Sequence, residues 1–255
     1  MLLAIGIGNT SIKLGLFDSS AIVANWHIAT DTGKTPDDYS VVLSCLLGQA
    51  AIEKREVTES AVWCTVPPLL SVFEKVVVGL FGIMPLIVTS ETKTGIRLLL
   101  DNPREVGSDR IVNAVAAHSL YKKDIIIVDM GTATTFETVT ANGDYLGGAI
   151  APGIMMAADA LFTRPAQLSR VHLSQPKRAI GKCTAEAMQS GIILGYTSLV
   201  EGMVARMRRE MVGEVMVVAT GGYSSLIVNQ TEVFDVVNAD LSLIGLGIIN
   251  RLNNP

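Results

Sequence analysis

An apolar strand that runs into a glycine and hydroxyl turn, then back out as a second strand, occurs twice in this chain. The fuller copy is Ile125-Ile-Ile-Val-Asp129-Met-Gly131-Thr-Ala-Thr-Thr135-Phe-Glu137. Its first residues predict a buried strand. Gly131 lets the backbone turn tightly and lets a ligand approach the main chain. Thr132, Thr134 and Thr135 offer hydroxyl and backbone N–H groups to phosphate oxygens, and Asp129 can hold a cation. The same residues also suit an ordinary hairpin in which Thr serves β-propensity. The other copy opens the chain: Leu2-Leu-Ala-Ile-Gly6-Ile-Gly8-Asn-Thr10-Ser-Ile-Lys13-Leu-Gly-Leu-Phe17. With Gly8 laid on Gly131, Gly6 falls on Asp129. The repeat therefore predicts a carboxylate at position 6, where this chain has glycine. Two halves that each open on a phosphate hairpin predict a duplicated domain with nucleotide between the copies.

Strands alternate with helices around these hairpins, which predicts an α/β architecture. Residues 2–7, 12–17 and about 21–29 read as a three-stranded meander with Asp18-Ser-Ser as a turn. Thr35-Pro36-Asp37-Asp38 reads as a helix start, with Pro in the first turn and acids beside it. Strands follow at 60–65 and 85–88, separated by a helix over 69–81. In the second half, Asn142-Gly143-Asp144 is a turn, Tyr145–Ile150 a strand, and Ala151-Pro152-Gly153 opens a helix. The segment 164–181 reads as an irregular loop. Thr184 is the expected cap of a long helix, on which Gly191, Gly195 and Gly202 predict close packing against another helix or a second subunit. Val215–Ala219 is the next buried strand, and Thr220-Gly221-Gly222 a turn that lets adenosine lie against bare backbone. The boundary between the halves is placed at Tyr121-Lys-Lys-Asp124, giving domains 1–122 and 123–255.

A polar stretch, Asp101-Asn-Pro103-Arg104-Glu105-Val106-Gly107-Ser108-Asp109-Arg110, leads into an apolar-periodic helix. Ser108 is a natural N-cap, which puts Asp109 and Arg110 in the first turn. A carboxylate there is stabilised by the helix dipole and stays ionised, able to accept a hydrogen bond. Arg110 can bind a substrate carboxylate in bidentate fashion. Capping with a local ion pair is the plainer use of the same residues.

Bulk properties exclude several classes. The chain has 255 residues, 49% of them apolar, so it can bury a sizeable core. A net charge of −4 argues against a nucleic-acid binder. The apolar runs are too short or too interrupted to span a bilayer, and the start resembles no signal peptide. Three cysteines without metal spacing fit a reducing cytosol, hence a cytoplasmic protein.

Taken together the motifs resemble type III pantothenate kinase. The matching stretches are Gly8-Asn9-Thr10, Asn102–Arg110, Asp129–Thr135, Gly147–Gly153, Gly181–Thr184, Glu186–Gly191 and Thr220–Gly222, in family order over nearly the whole chain. The resemblance implies two ribonuclease-H-like halves of the actin and sugar-kinase superfamily with a nucleotide cleft between them. It implies ATP and pantothenate as substrates, Mg²⁺ with the ATP, and a monovalent cation such as K⁺ or NH4⁺. It also implies a homodimer with active sites at the interface. Position by position, Asp109 resembles the catalytic base that takes the pantothenate hydroxyl proton. Leu100, Gly107, Ser108, Arg110 and Thr184 fall on substrate-binding positions, Thr184 reaching the partner's site. Gly6, Ile7, Gly8, Asn9, Thr10, Ser11, Ile12 and Lys13 form the first ATP loop, Thr132 contacts phosphate, and Asp129 matches the monovalent-cation ligand. The family pattern has Asp where this chain has Gly6, Tyr where it has Leu100 and often Ala where it has Ser108. The implied reaction is phosphorylation of pantothenate to 4′-phosphopantothenate, first step of coenzyme A synthesis. Gly6 and Leu100 leave open an impaired relative that binds nucleotide or pantothenate in a regulatory role. A kinase acting on another small hydroxyl compound is a third reading.

Overall fold

The structure, a computed structural model, describes residues 1–163 and 171–254. The chain divides into two compact units, one formed by Met1–Ser119 with Leu241–Pro255, the other by Leu120–Asp240. The expected boundary at 122/123 lies close to the first crossing. The last segment differs from that expectation: it belongs with the first unit, because its helix packs there.

In the first unit the expected meander forms: β1 (Leu2–Ile7), β2 (Ser11–Asp18) and β3 (Ala21–Ala29). Helix α1 (Pro36–Gln49) starts at Thr35, whose side chain accepts from Asp38 N while the Asp38 carboxylate accepts from Thr35 N. That reciprocal pair satisfies two of the donors left open at a helix start. Strand β4 (Glu59–Cys64), helix α2 (Pro67–Phe81) and strand β5 (Leu86–Ile87) follow, then the two-residue β6 (Arg97–Leu98) and helix α3 (Ser108–Tyr121). The sheet order is β3-β2-β1-β4-β5, antiparallel on the meander side and parallel beyond β1. One face carries Leu3, Ile5, Ile7, Leu14 and Leu16 against Tyr39, Leu43, Leu69 and Phe73 of α1 and α2. The opposite face meets α7 (Leu241–Asn253). Gly15 leaves room for Leu243, and a Cβ at Gly245 would strike the Val112 carbonyl. Close approach of this kind explains why the terminal helix stays with the first unit.

The second unit repeats the plan. Strands β7 (Asp124–Met130), β8 (Ala133–Val139) and β9 (Asp144–Pro152) form the meander. Helices α4 (Ile154–Thr163) and α5 (Thr184–Arg208) lead to β10 (Val215–Thr220). The short α6 (Ser224–Ile227) then leads to β11 (Val236–Val237). Within the unit the strands run β11-β10-β7-β8-β9, the same order and senses as in the first unit. Its core joins Ile126, Val128, Phe136 and Val217 to Ile154 of α4 and Ile193, Val200 and Val204 of α5.

Two expectations need correction. Gly107, not Ser108, precedes α3: Arg110 and Ile111 donate backbone N–H to its carbonyl, and Ser108 is the first helical residue. Thr184 likewise lies inside α5, whose cap residue is Cys183. Among the described residues nothing lies within 4 Å of a Cβ built at Gly191, Gly195 or Gly202, so of the two neighbours expected for them no described helix is one. Of the irregular loop expected over 164–181, residues 164–170 lie outside the described residues, and 171–181 hold neither helix nor strand. Among the described residues no helix is long and apolar enough to cross a membrane.

Candidate active site

The end of β4 organises the functional residues of the first unit. In the first hairpin Ile7 and Ile12 are the last paired residues, so Gly8–Ser11 make the turn, closed by Gly8 N donating to Ser11 O at 3.1 Å. Thr30 straps it from one side: its hydroxyl donates to Gly8 O at 2.6 Å and its N–H to Thr10 O at 3.1 Å. Thr65 straps it from the other, donating N–H and hydroxyl to Ile7 O at 2.9 and 3.2 Å. Asn9 and Thr10 remain exposed at the tip, and Lys13 stands opposite Gly6 in the register. A turn held this way presents its donors without further ordering.

One residue earlier on β4, Cys64 holds the expected substrate loop. Its backbone N–H donates to Ser108 Oγ at 3.2 Å, and that hydroxyl donates back to Cys64 O at 3.3 Å. Ser108 thus anchors the loop to the sheet. Beyond it the Asp109 carboxylate folds back over Gly107, where a Cβ would collide with Oδ1. A side chain at 107 would therefore displace the carboxylate two residues on. Asp109 and Arg110 are both half-buried in the first turn of α3, and Leu100 is half-buried upstream. Cys64 Sγ lies 3.1 Å from Val66 O, and burial pushes its thiol up from the ordinary value against the smaller opposite effect of the Val66 backbone. It stays a neutral thiol at neutral pH.

In the second unit three glycine turns converge on the second hairpin. Gly131 N donates to Ala133 O at 3.0 Å, leaving Thr132 exposed at the tip. This turn is one residue shorter than the first, since Met130 pairs with Thr134. Gly153 passes the tip so closely that a Cβ would strike Thr132 O and lie 2.7 Å from Gly131 O. Gly221, at φ +95°, passes the base: a Cβ there would sit 2.5 Å from Asp129 Oδ1 and from Met130 N. Tyr223 N donates to Met130 O at 3.0 Å and fixes that approach. Asp129 is half-buried and in register with Thr220 of β10, whose hydroxyl is buried without a partner among the described residues. Tyr196 of α5 is hydrogen-bonded to Thr134 on β8. Burial pushes its phenol up from the ordinary value, the Thr134 bond acts downward, and the Asp129 carboxylate adds an upward push. At the start of α5 Thr184 is exposed, while Glu186 accepts from Lys182 N at 2.8 Å and pairs with Arg178 at 3.2 Å. The backbone bond is the main cause holding the Glu186 carboxyl below its usual range.

These motifs agree with a match to the family model described as type III pantothenate kinase, which spans residues 2–206. The chain belongs to the type III pantothenate kinase family. A protein of that name from Dehalococcoides mccartyi is 45% identical over 252 residues, covering 99% of this chain and 96% of the relative. One from Syntrophus aciditrophicus is 44% identical over 254 residues and covers 100% of both. The fold is that of sugar kinases. The solved inorganic polyphosphate/ATP-glucomannokinase of Arthrobacter sp. strain KM matches at TM-score 0.51 and 12% identity, covering 99% of this chain and 98% of the other. Membership in a kinase family implies ATP as phosphoryl donor and a divalent metal.

Sequence reasoning found the two hairpins and the Asp109 loop. It missed what holds them: Thr30, Thr65, the Cys64 backbone and Tyr196. It also missed Trp63, whose neighbour in the β1–β4 register is Gly6. The signal for Trp63 was available, a bulky aromatic ending a strand whose parallel partner ends in Gly-Ile-Gly.

Proposed function

We propose that this chain transfers the γ-phosphoryl group of ATP to the 4′-hydroxyl of pantothenate, giving ADP and 4′-phosphopantothenate, the first step towards coenzyme A. The observation that carries this is the Asp109 loop, whose carboxylate stands in the first turn of α3 over a bare glycine. Asp109 accepts the hydroxyl proton as the oxygen attacks phosphorus in line, and ADP leaves. Proton acceptance within hydrogen-bond reach contributes about 10²–10⁴-fold. Arg110 binds the pantothenate carboxylate or the migrating phosphoryl charge. The first hairpin, residues 6–13, and Thr132 offer N–H groups, hydroxyls and the Lys13 ammonium to the ATP phosphates.

Mg²⁺ carried with ATP would neutralise phosphate charge; Gly6, lacking a carboxylate, does not fit as its protein anchor. Asp129 and the buried hydroxyl of Thr220 are oxygen donors that suit a monovalent cation, K⁺ or NH4⁺. The protein acts as a homodimer in the cytoplasm. The bare glycines 191, 195 and 202 of α5 leave room for a partner's close approach, and Thr184 reaches the partner's pantothenate. Free Cys45, Cys64 and Cys183 suit a reducing compartment. A purely regulatory role is not favoured. Trp63 gives Gly6 a packed neighbour, so glycine there is accommodated rather than merely lost.

Asp109→Asn tests the reading. It preserves shape and removes the proton acceptor, so kcat falls about 10²–10⁴-fold with ATP affinity and melting temperature unchanged. Near-normal kcat at saturating ATP rules Asp109 out as the base.

A further inference from the structure

The two units share strand order and sense but invert side-chain size at one position. On β7 the carboxylate of Asp129 is in register with Thr220 on the parallel neighbour β10. On β1 the corresponding residue is Gly6, and its register partner on the parallel neighbour β4 is Trp63. A large residue thus faces a side chain that is absent. The indole lies directly against Gly6: a Cβ there would be 2.5 Å from Cε2 and 2.6 Å from both Cζ2 and Nε1. The ring also reaches under the turn, with Cη2 3.7 Å from a Cβ built at Gly8. Trp63 is 7% exposed, and its Nε1–H is buried without an acceptor among the described residues. An indole N–H can only donate, and a buried donor left unmatched costs stability.

We propose that Gly6 and Trp63 are an exchanged pair. The indole occupies the volume a carboxylate at position 6 would take, and its Nε1–H is the donor that meets a phosphate oxygen of the bound nucleotide. The inference rests on the kinase reading above. The two solutions differ in electrostatics. A carboxylate repels phosphate and anchors it only with a cation between them. A neutral N–H attracts phosphate directly and offers a cation no lone pair. Position 6 of this chain therefore does not fit a divalent-cation site, and Trp63 is a binding residue for the nucleotide. Asp placed alone at position 6 has no room, because the ring that blocks it is held in the buried end of β4.

Calorimetric ATP titrations of the full-length protein, in Mg²⁺ and in excess EDTA, test the pair. Trp63→Phe keeps an aromatic ring and removes the donor. It should weaken ATP binding by on the order of ten- to a hundredfold in both buffers, as expected for a hydrogen bond to a charged group. Trp63 is one of two tryptophans, so in a Trp26→Phe background its fluorescence should change on ATP addition in both buffers. A second pair of variants guards against misfolding of the first. Gly6→Asp alone should lower the melting temperature and ATP affinity. Adding Trp63→Ser should restore both and raise the Mg²⁺ dependence of affinity about tenfold above the wild-type value. Trp63→Phe with wild-type affinity, or a double variant with no greater Mg²⁺ dependence than wild type, overturns the exchange. If wild-type protein binds no ATP in either buffer, the kinase reading falls and takes this one with it. Binding that ignores Trp63 overturns this one alone.

Discussion

Single residues in this protein work mainly by what they hold. Ser108 looks like a substrate contact in the sequence, yet its hydroxyl bonds twice to the Cys64 backbone and so sets where Asp109 stands. Tyr196 has no mark in the sequence as functional, yet it is 6% exposed and hydrogen-bonded to Thr134 of the second hairpin. Its titration gives a prediction. The folded-state value is raised, chiefly by burial and further by Asp129. The neutral phenol therefore contributes stability that is fully present below the unfolded value, about pH 10, and is lost as pH rises through the folded value. The Cys64 thiol, also raised by burial, acts with the same sign from about pH 8.5 upward. Urea midpoints should fall from pH 9 to 11, and Tyr196→Phe should flatten the upper part of that fall. An equally steep fall in Tyr196→Phe would show that the phenol is not its source.

Elements carried most of what could be read in advance. Both meanders, α1 with its Thr35 start and the helix and strand series of each half follow from periodicity and capping, because those signals are local. Three features were not legible. The return of α7 to the first unit depends on the bare backbone at Gly245 meeting Val112. The two-residue strands β6 and β11 have too few residues for any period. The packing of Trp63 on Gly6 joins residues far apart in sequence. The glycines of the second hairpin were legible as turns, but not which of them bears a tertiary constraint. Gly221 and Gly222 separate the two cases. Gly221→Ala forces a side chain into a left-handed position, costing roughly 1–2 kcal/mol, and into Asp129 and Met130 as well. Gly222→Ala meets nothing within 4 Å. Denaturant unfolding should show a loss of at least about 2 kcal/mol for the first and a small change for the second; equal losses would contradict the packing described.

At the scale of the molecule, the two units carry hairpins of one design that differ in their side chains at one position. Asp129 keeps the carboxylate in one, and the other has exchanged it for Trp63 over Gly6. The proposed homodimer adds Thr184 of one chain to the Asp109 loop of another. Mixed Asp109→Asn and Thr184→Ala subunits should therefore recover activity in heterodimers, which carry one intact site. Heterodimers that form and stay inactive would count against a shared site. The central claim is the reaction itself, and the most direct measurement is ADP release from ATP by the purified protein with and without pantothenate. The account predicts ADP release that requires pantothenate and matches 4′-phosphopantothenate mole for mole. No release, or release at the same rate without pantothenate, would contradict it.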